Sequence, residues 1–117
     1  MPRNPKCRRV CCEPENRRFT PEKLDSEFVI LSIDELESIR LCDLEEISQD
    51  SAASRMGVSR GTFQRILYSA RKSVADALCN GKGILIEGGN YELVEECCKC
   101  QTSCSRCRFA EKDEEND

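Results

Sequence analysis

Between Ser32 and Asn80 apolar residues recur at helical spacing, and the phase of that recurrence resets twice. The first stretch opens on Ser32-Ile33-Asp34-Glu35, a capping box in which serine and glutamate side chains satisfy the free N–H groups of a starting helix. Leu36, Ile39, Leu41 and Leu44 carry this helix to about Glu46, and Asp34, Glu35 and Glu37 suit the positive end of its dipole. The second stretch starts at Ser48, an N-cap, and places Ala52, Ala53 and Met56 on one face. Gly57 then stands where the chain must turn with positive φ. Ser59 caps a third, longer helix, in which Phe63, Ile66, Leu67, Ala70, Val74, Ala75 and Leu78 keep the period up to Asn80-Gly81.

The joint spacing of the last two helices is that of a helix-turn-helix. Small Ala52 and Ala53 allow a close crossing, Gly57 makes the turn, and Val58, Phe63 and Ile66 fill the angle. Outside the helices, Phe28–Leu31 is a short apolar run, and Lys82–Gly89 is a strand bounded by glycines. A lone strand is unstable, so Arg8–Cys12 is its expected partner, within the chain or from a second subunit. Asn16–Asp25 reads as a loop. A phosphate-binding loop at Gly88-Gly89 is the competing reading, but no Lys-Ser/Thr pair follows it.

The expected fold is mainly α: a three-helix core with a helix-turn-helix, a short β-pair and a Cys-rich C-terminal tail. Its parts are a basic Cys-containing arm (1–25), a helix-turn-helix domain with its following strand (26–90), a Cys-rich segment (91–110) and an acidic, disordered end (111–117).

Length and charge narrow the function. The chain has 117 residues, enough for one domain plus tails, and 5% aromatic content without Trp implies a modest aliphatic core. The net charge of −4 conceals a strong asymmetry. Residues 1–23 hold seven basic and three acidic groups, residues 25–50 one and nine, and residues 82–117 five and nine. From Ser51 to Ala75 there are five basic residues and no acidic one. DNA would therefore meet the third helix and the arm, while the acidic first helix packs behind and faces elsewhere. No apolar run reaches membrane-spanning length, and Met1–Lys6 lacks the apolar core of a signal peptide, so a cytoplasmic protein is expected.

The candidate DNA-binding residues are Arg55, Ser59, Arg60, Thr62, Gln64, Arg65, Tyr68, Arg71 and Lys72. In the major groove Arg pairs bidentately with guanine and Gln with adenine, while other basic groups hold phosphates. The plainer alternative is a solvated helical face on a small bundle. The first three turns or so of the third helix can touch DNA, and the rest must pack on protein.

Ten cysteines and no histidine mean that a transition-metal site must be built mainly from thiolates. Cys97, Cys98, Cys100, Cys104 and Cys107 lie within eleven residues, and such thiols can converge on zinc or an iron–sulfur cluster. Cys7, Cys11 and Cys12 form a second, incomplete group, or simply small strand residues. Cys42 is expected in the core and Cys79 in a structural role. The spacing Cys100-x3-Cys104-x2-Cys107 resembles the cluster motif of radical S-adenosylmethionine enzymes, which implies an iron–sulfur cluster but not the catalysis. No enzyme is expected, because there is no His, no nucleophile with its base, and little room for a pocket.

The run LCDLEEISQDSAASRMGVSRGTFQRILYSARKSVADALCNGKGILIEGG, with the arm KCRRVCCEPENRRF before it, resembles a prokaryotic family of predicted DNA-binding proteins, domain of unknown function 134. MGVSRGTFQRIL is the most specific part of the resemblance. It implies a central domain similar to region 4 of sigma-70 factors, with a recognition helix starting near Ser59. It also implies an association with proteins of iron–molybdenum-cofactor type. The expected function is a sequence-specific transcriptional regulator on double-stranded DNA, a homodimer, metal- or redox-responsive through its cysteines. The alternatives are a sigma-like adaptor acting with RNA polymerase, and an iron–sulfur or redox carrier.

Overall fold

The computed structural model describes residues 7–23 and 25–93. The run from Cys97 to Cys107, the acidic end 111–117 and residues 1–6 lie outside the described residues. Along the chain come β1 (Arg8–Val10), β2 (Arg18–Phe19), β3 (Phe28–Leu31), α1 (Ile33–Ile39), α2 (Gln49–Met56), α3 (Arg60–Asn80), β4 (Gly83–Ile86) and β5 (Tyr91–Leu93). Among the described residues, three helices with two small sheets thus replace the expected helices with one β-pair.

The helices start where their caps stand. Ser32 accepts from the Glu35 N–H, and Glu35 accepts from the Ser32 N–H, so the capping box closes. Ser48 and Ser59 accept from the Ser51 and Thr62 N–H groups. Between α2 and α3 the turn is Gly57-Val58-Ser59, and Gly57 has φ 74°, a left-handed value that a glycine adopts without strain.

The end of the first helix departs from the regular pattern. Arg40–Leu44 continue α1 as a turn of π-helix, with the Glu45 N–H donating to the Arg40 carbonyl across five residues at 2.8 Å. An inserted residue in a turn rotates the side chains beyond it, so Leu41 is buried while Leu44, expected on the apolar face, is 71% exposed. Glu46 takes φ 61° and swings the chain back, ending the helix close to where its spacing predicts.

The sheets overturn the expected strand pairing. Gly83–Ile86 lies between β2, antiparallel, and β3, parallel, with Phe28 opposite Gly83 and Leu31 opposite Ile86. β1 pairs instead with β5, in parallel, with Arg8 opposite Tyr91 and Val10 opposite Leu93. The apolar run before the capping box wins β4 because both of its neighbours are in register. The Ile33 N–H also donates to the Gly88 carbonyl, and the Glu87 N–H to the Leu31 carbonyl. Gly83 permits this close packing: a Cβ there would stand 2.5 Å from the Phe28 ring and 2.8 Å from the Phe19 carbonyl. Arg18–Phe19, read as loop, is a strand that covers the far edge of β4 and stacks its Arg18 guanidinium over Phe28.

Among the described residues, two apolar clusters fill the interior. Leu41, Ala52, Ala53, Met56, Phe63 and Leu67 form one, under the α2–α3 turn, with Val58 and Cys42 packed against it. Val10, Leu31, Ile33, Ala70 and Ile86 form the other, between α3 and the strands. Burial pushes the Cys42 thiol up from its ordinary pKa, as a core position would. Leu78 and Cys79 are exposed, so the last turn of α3 is not held as expected.

Candidate nucleic-acid interface

The core residues of α3 fix which side of the helix is left over. Phe63, Ile66, Leu67, Ala70 and Ala77 are buried on one side. At 3.6 residues per turn, Arg60, Arg71, Gln64, Tyr68, Gly61, Lys72 and Arg65 then fall in that order around an opposing arc of about 140°. No acidic residue of α3 lies in this arc, and Asp76 is on its other flank. The candidate residues on α3 therefore share one surface, except Thr62, which turns back to the helix cap. Arg55 is half-buried at the end of α2, next to the turn.

Several of these side chains are held by neighbours within the chain. Arg60 Nη1 meets Asp50 Oδ1 at 3.2 Å, and Gln64 Nε2 donates to Gln49 Oε1 at 2.9 Å, so the first turn of α2 braces the first turns of α3. Ser59 Oγ donates to Thr62 Oγ1 at 3.1 Å, and Thr62 Oγ1 also receives Arg65 Nη2 at 3.4 Å. Arg71 forms a fork with Asp43, at 2.8 and 3.2 Å, and its guanidinium lies 6.0 Å from the Tyr68 ring centre. The hydrogen bond to Asp43 holds the Arg71 pKa above its ordinary value. The acidic first helix is expected from its charge to face elsewhere; its π turn instead carries Asp43 to this surface.

Gln49, Asp43 and Asp50 are the neighbours of this surface that the sequence pattern does not single out. Gln49 and Asp50 were open to discovery, because the first turn of α2 must pass close to the start of α3. Asp43 was not, since its position depends on the change of helical phase after Ile39. Arg9 of β1 adds a further basic group, with its Nε 3.5 Å from where a Cβ of Gly57 would stand.

The thiols of the arm do not form one group. Cys7 Sγ donates to Asn90 Oδ1 at 3.4 Å, while Cys11 and Cys12 Sγ lie 3.8 Å apart. Among the described residues no three Cys, Asp or Glu side chains converge as metal ligands. The Cys97, Cys98, Cys100, Cys104 and Cys107 thiols lie outside those residues.

The family model described as "Protein of unknown function DUF134" matches residues 1–94. The chain belongs to the DUF134 family. It is 52% identical over 115 residues to a UPF0251 protein of Ruminiclostridium cellulolyticum, covering 92% of this chain and 91% of that one. A UPF0251 protein of Thermoanaerobacter sp. strain X514 is 54% identical over 99 residues, covering 82% and 88%. A third, from Methanocella arvoryzae, is 48% identical over 103 residues, covering 86% of this chain and 61% of that protein. No solved structure matches the chain. Among the described residues of this DUF134 member, no helix is long and apolar enough to cross a membrane.

Proposed function

We propose that this chain is a transcriptional regulator that binds double-stranded DNA through α3, with α2, Gly57-Val58-Ser59 and α3 acting as a helix-turn-helix of the sigma-70 region 4 kind. The observation that carries the reading is the basic and polar arc that α3 presents over its first turns, from Arg60 to Lys72, directly after a glycine turn. Arg65 and Gln64 are the base-reading pair, since they project from the first turns, where a recognition helix meets base edges. Arg60, Arg71 and Lys72 hold phosphates on either side, and Arg9 reaches a phosphate from beside the turn.

The in-chain ion pairs do not oppose this use. Arg60–Asp50 and Arg71–Asp43 are largely solvent-exposed, so opening each one costs on the order of 1 kcal/mol or less. They keep long side chains extended over the surface until a phosphate replaces the carboxylate. The protein works as a homodimer on paired half-sites, the arrangement that lets a short recognition helix gain specificity.

The test is Arg65→Ala on a duplex recovered by selection. Specific affinity should fall by about 1–3 kcal/mol, roughly 5- to 150-fold, with relaxed preference at one base position. A footprint and affinity identical to wild type would take Arg65 off the reading surface.

A further inference from the structure

We infer that Gln49 is a positioning residue for base readout: it holds the Gln64 carboxamide in the orientation that matches adenine, so that the two amides together select a single A·T pair. The inference rests on the DNA reading of α3, and adds to it the identity of one base and the residue that decides it.

The chemistry starts from an ambiguity in glutamine. A carboxamide carries two N–H donors and an acceptor oxygen, and a half-turn about its last bond exchanges their places. In the major groove adenine offers the N7 acceptor beside the N6 donor, whereas guanine offers two acceptors, N7 and O6. A glutamine free to turn can present oxygen or nitrogen to either purine, and selects poorly. Gln64 is not free to turn. Its Nε2 donates to Gln49 Oε1 at 2.9 Å, so one N–H is used within the chain. One N–H and the carbonyl oxygen remain, the complement of the adenine N7 and N6 groups. Against guanine the same oxygen would face O6, acceptor against acceptor.

The second observation is where the pair sits. Arg60, Gly61, Arg65 and Tyr68 surround Gln64 on the helix and are exposed, while Gln64 and Gln49 are both half-buried. The bond between the amides therefore lies in the crevice between α2 and α3, where water competes less for it. It joins residues 15 apart in the chain, and both are anchored. Gln49 opens α2 directly after Ser48, whose Oγ accepts from the Ser51 N–H at 3.1 Å and fixes the first turn. Gln64 follows Phe63, which is buried with Ala52 and Ala53 under the turn. Asp50, the nearest other acceptor in that first turn, is engaged by Arg60 at 3.2 Å, which leaves the Gln64 amide to Gln49.

The experiment scores the full chain against duplexes carrying each base in turn at every position of the motif recovered by selection. Wild type should prefer adenine at one position, about 5- to 150-fold over guanine, and Gln64→Ala should abolish the preference there alone. Gln49→Ala should shrink that preference by about 2- to 12-fold, the worth of one hydrogen bond. Every other position, and the dependence on salt, should stay as in wild type, because no charge has been removed. Gln49→Glu keeps an acceptor oxygen in place, so adenine should remain first while its charge weakens binding to all four bases alike. Alanine and glutamate are both good helix formers, and unchanged helical circular dichroism checks that α2 is intact. A Gln49→Ala loss spread evenly over the four bases would reduce the contact to a helix brace and overturn the inference. Guanine preferred at the Gln64 position by wild type, or adenine no longer first in Gln49→Glu, would overturn it too. Recovery of no motif by wild type is the separate outcome in which the DNA reading itself falls, and this inference with it.

Discussion

The two apolar clusters are built on the same helix by opposite means. The cluster under the α2–α3 turn takes all its buried residues from between Leu41 and Leu67. The cluster against the strands reaches from Val10 to Ile86, and α3 gives it only Ala70 as a buried residue, beside the partly buried Val74. The first closes short loops and carries the basic arc. The second closes long ones and carries the thiol pair. Ile39 packs against both, at the residue where the helix changes from α to π. The difference teaches that the candidate DNA surface depends on local packing, whereas the arm depends on the whole chain having met.

Phe63→Ala would break the local side of this contrast most severely. Phe63 is fully buried at the angle between α2 and α3, so its loss should cost about 3–5 kcal/mol in denaturant unfolding. That is a large part of the stability expected of a small domain, roughly 5–15 kcal/mol. A loss below about 1 kcal/mol would mean that the turn is not organised around this ring.

Glu37→Ala strikes the other side. It removes the carboxylate that joins Cys11 to Arg40, leaving Arg40 with Glu45 at 3.4 Å. The expected cost is about 2–3 kcal/mol, less than for a wholly orphaned buried charge because Glu45 remains. Hydrogen exchange should then quicken in β1 and β5 before it does in α2, and equal quickening everywhere would erase the contrast between the clusters.

The same contrast separates the features legible in the sequence from those that are not. Caps at Ser32, Ser48 and Ser59, the Gly57 turn and the buried set Ala52, Ala53, Met56, Phe63 and Leu67 all follow from local spacing, and all hold. Strand partners do not follow from spacing, because Arg8–Val10 and Phe28–Leu31 are equally good short strands and only register in space chooses between them. Tyr91–Leu93 gave no strand signal, since three residues carry no alternation. Leu44 and Asp43 were misplaced for one reason, the π turn, which leaves no mark in the hydrophobic pattern. Among the candidate site residues, the α3 arc was readable from helical phase, while its acidic partners depended on tertiary contacts.

Gly61→Ala offers the smallest and sharpest probe. Gly61 lies in the middle of the arc, is exposed, and nothing stands within 4 Å of an added Cβ. Alanine should stabilise the helix by about 0.5–1 kcal/mol. The same methyl would keep a duplex from approaching the backbone, so binding should weaken while the protein becomes more stable. Stability and binding rising together would show that this part of α3 does not face DNA.

The central claim is that α3 reads duplex DNA, and selection from a pool of randomised duplexes by the full wild-type chain tests it most directly. The expected result is recovery of one short motif, bound with an affinity that falls steeply with salt and is lost in Arg60→Ala/Arg65→Ala. A pool still random after repeated rounds, or a motif retained equally by the double variant, would contradict it.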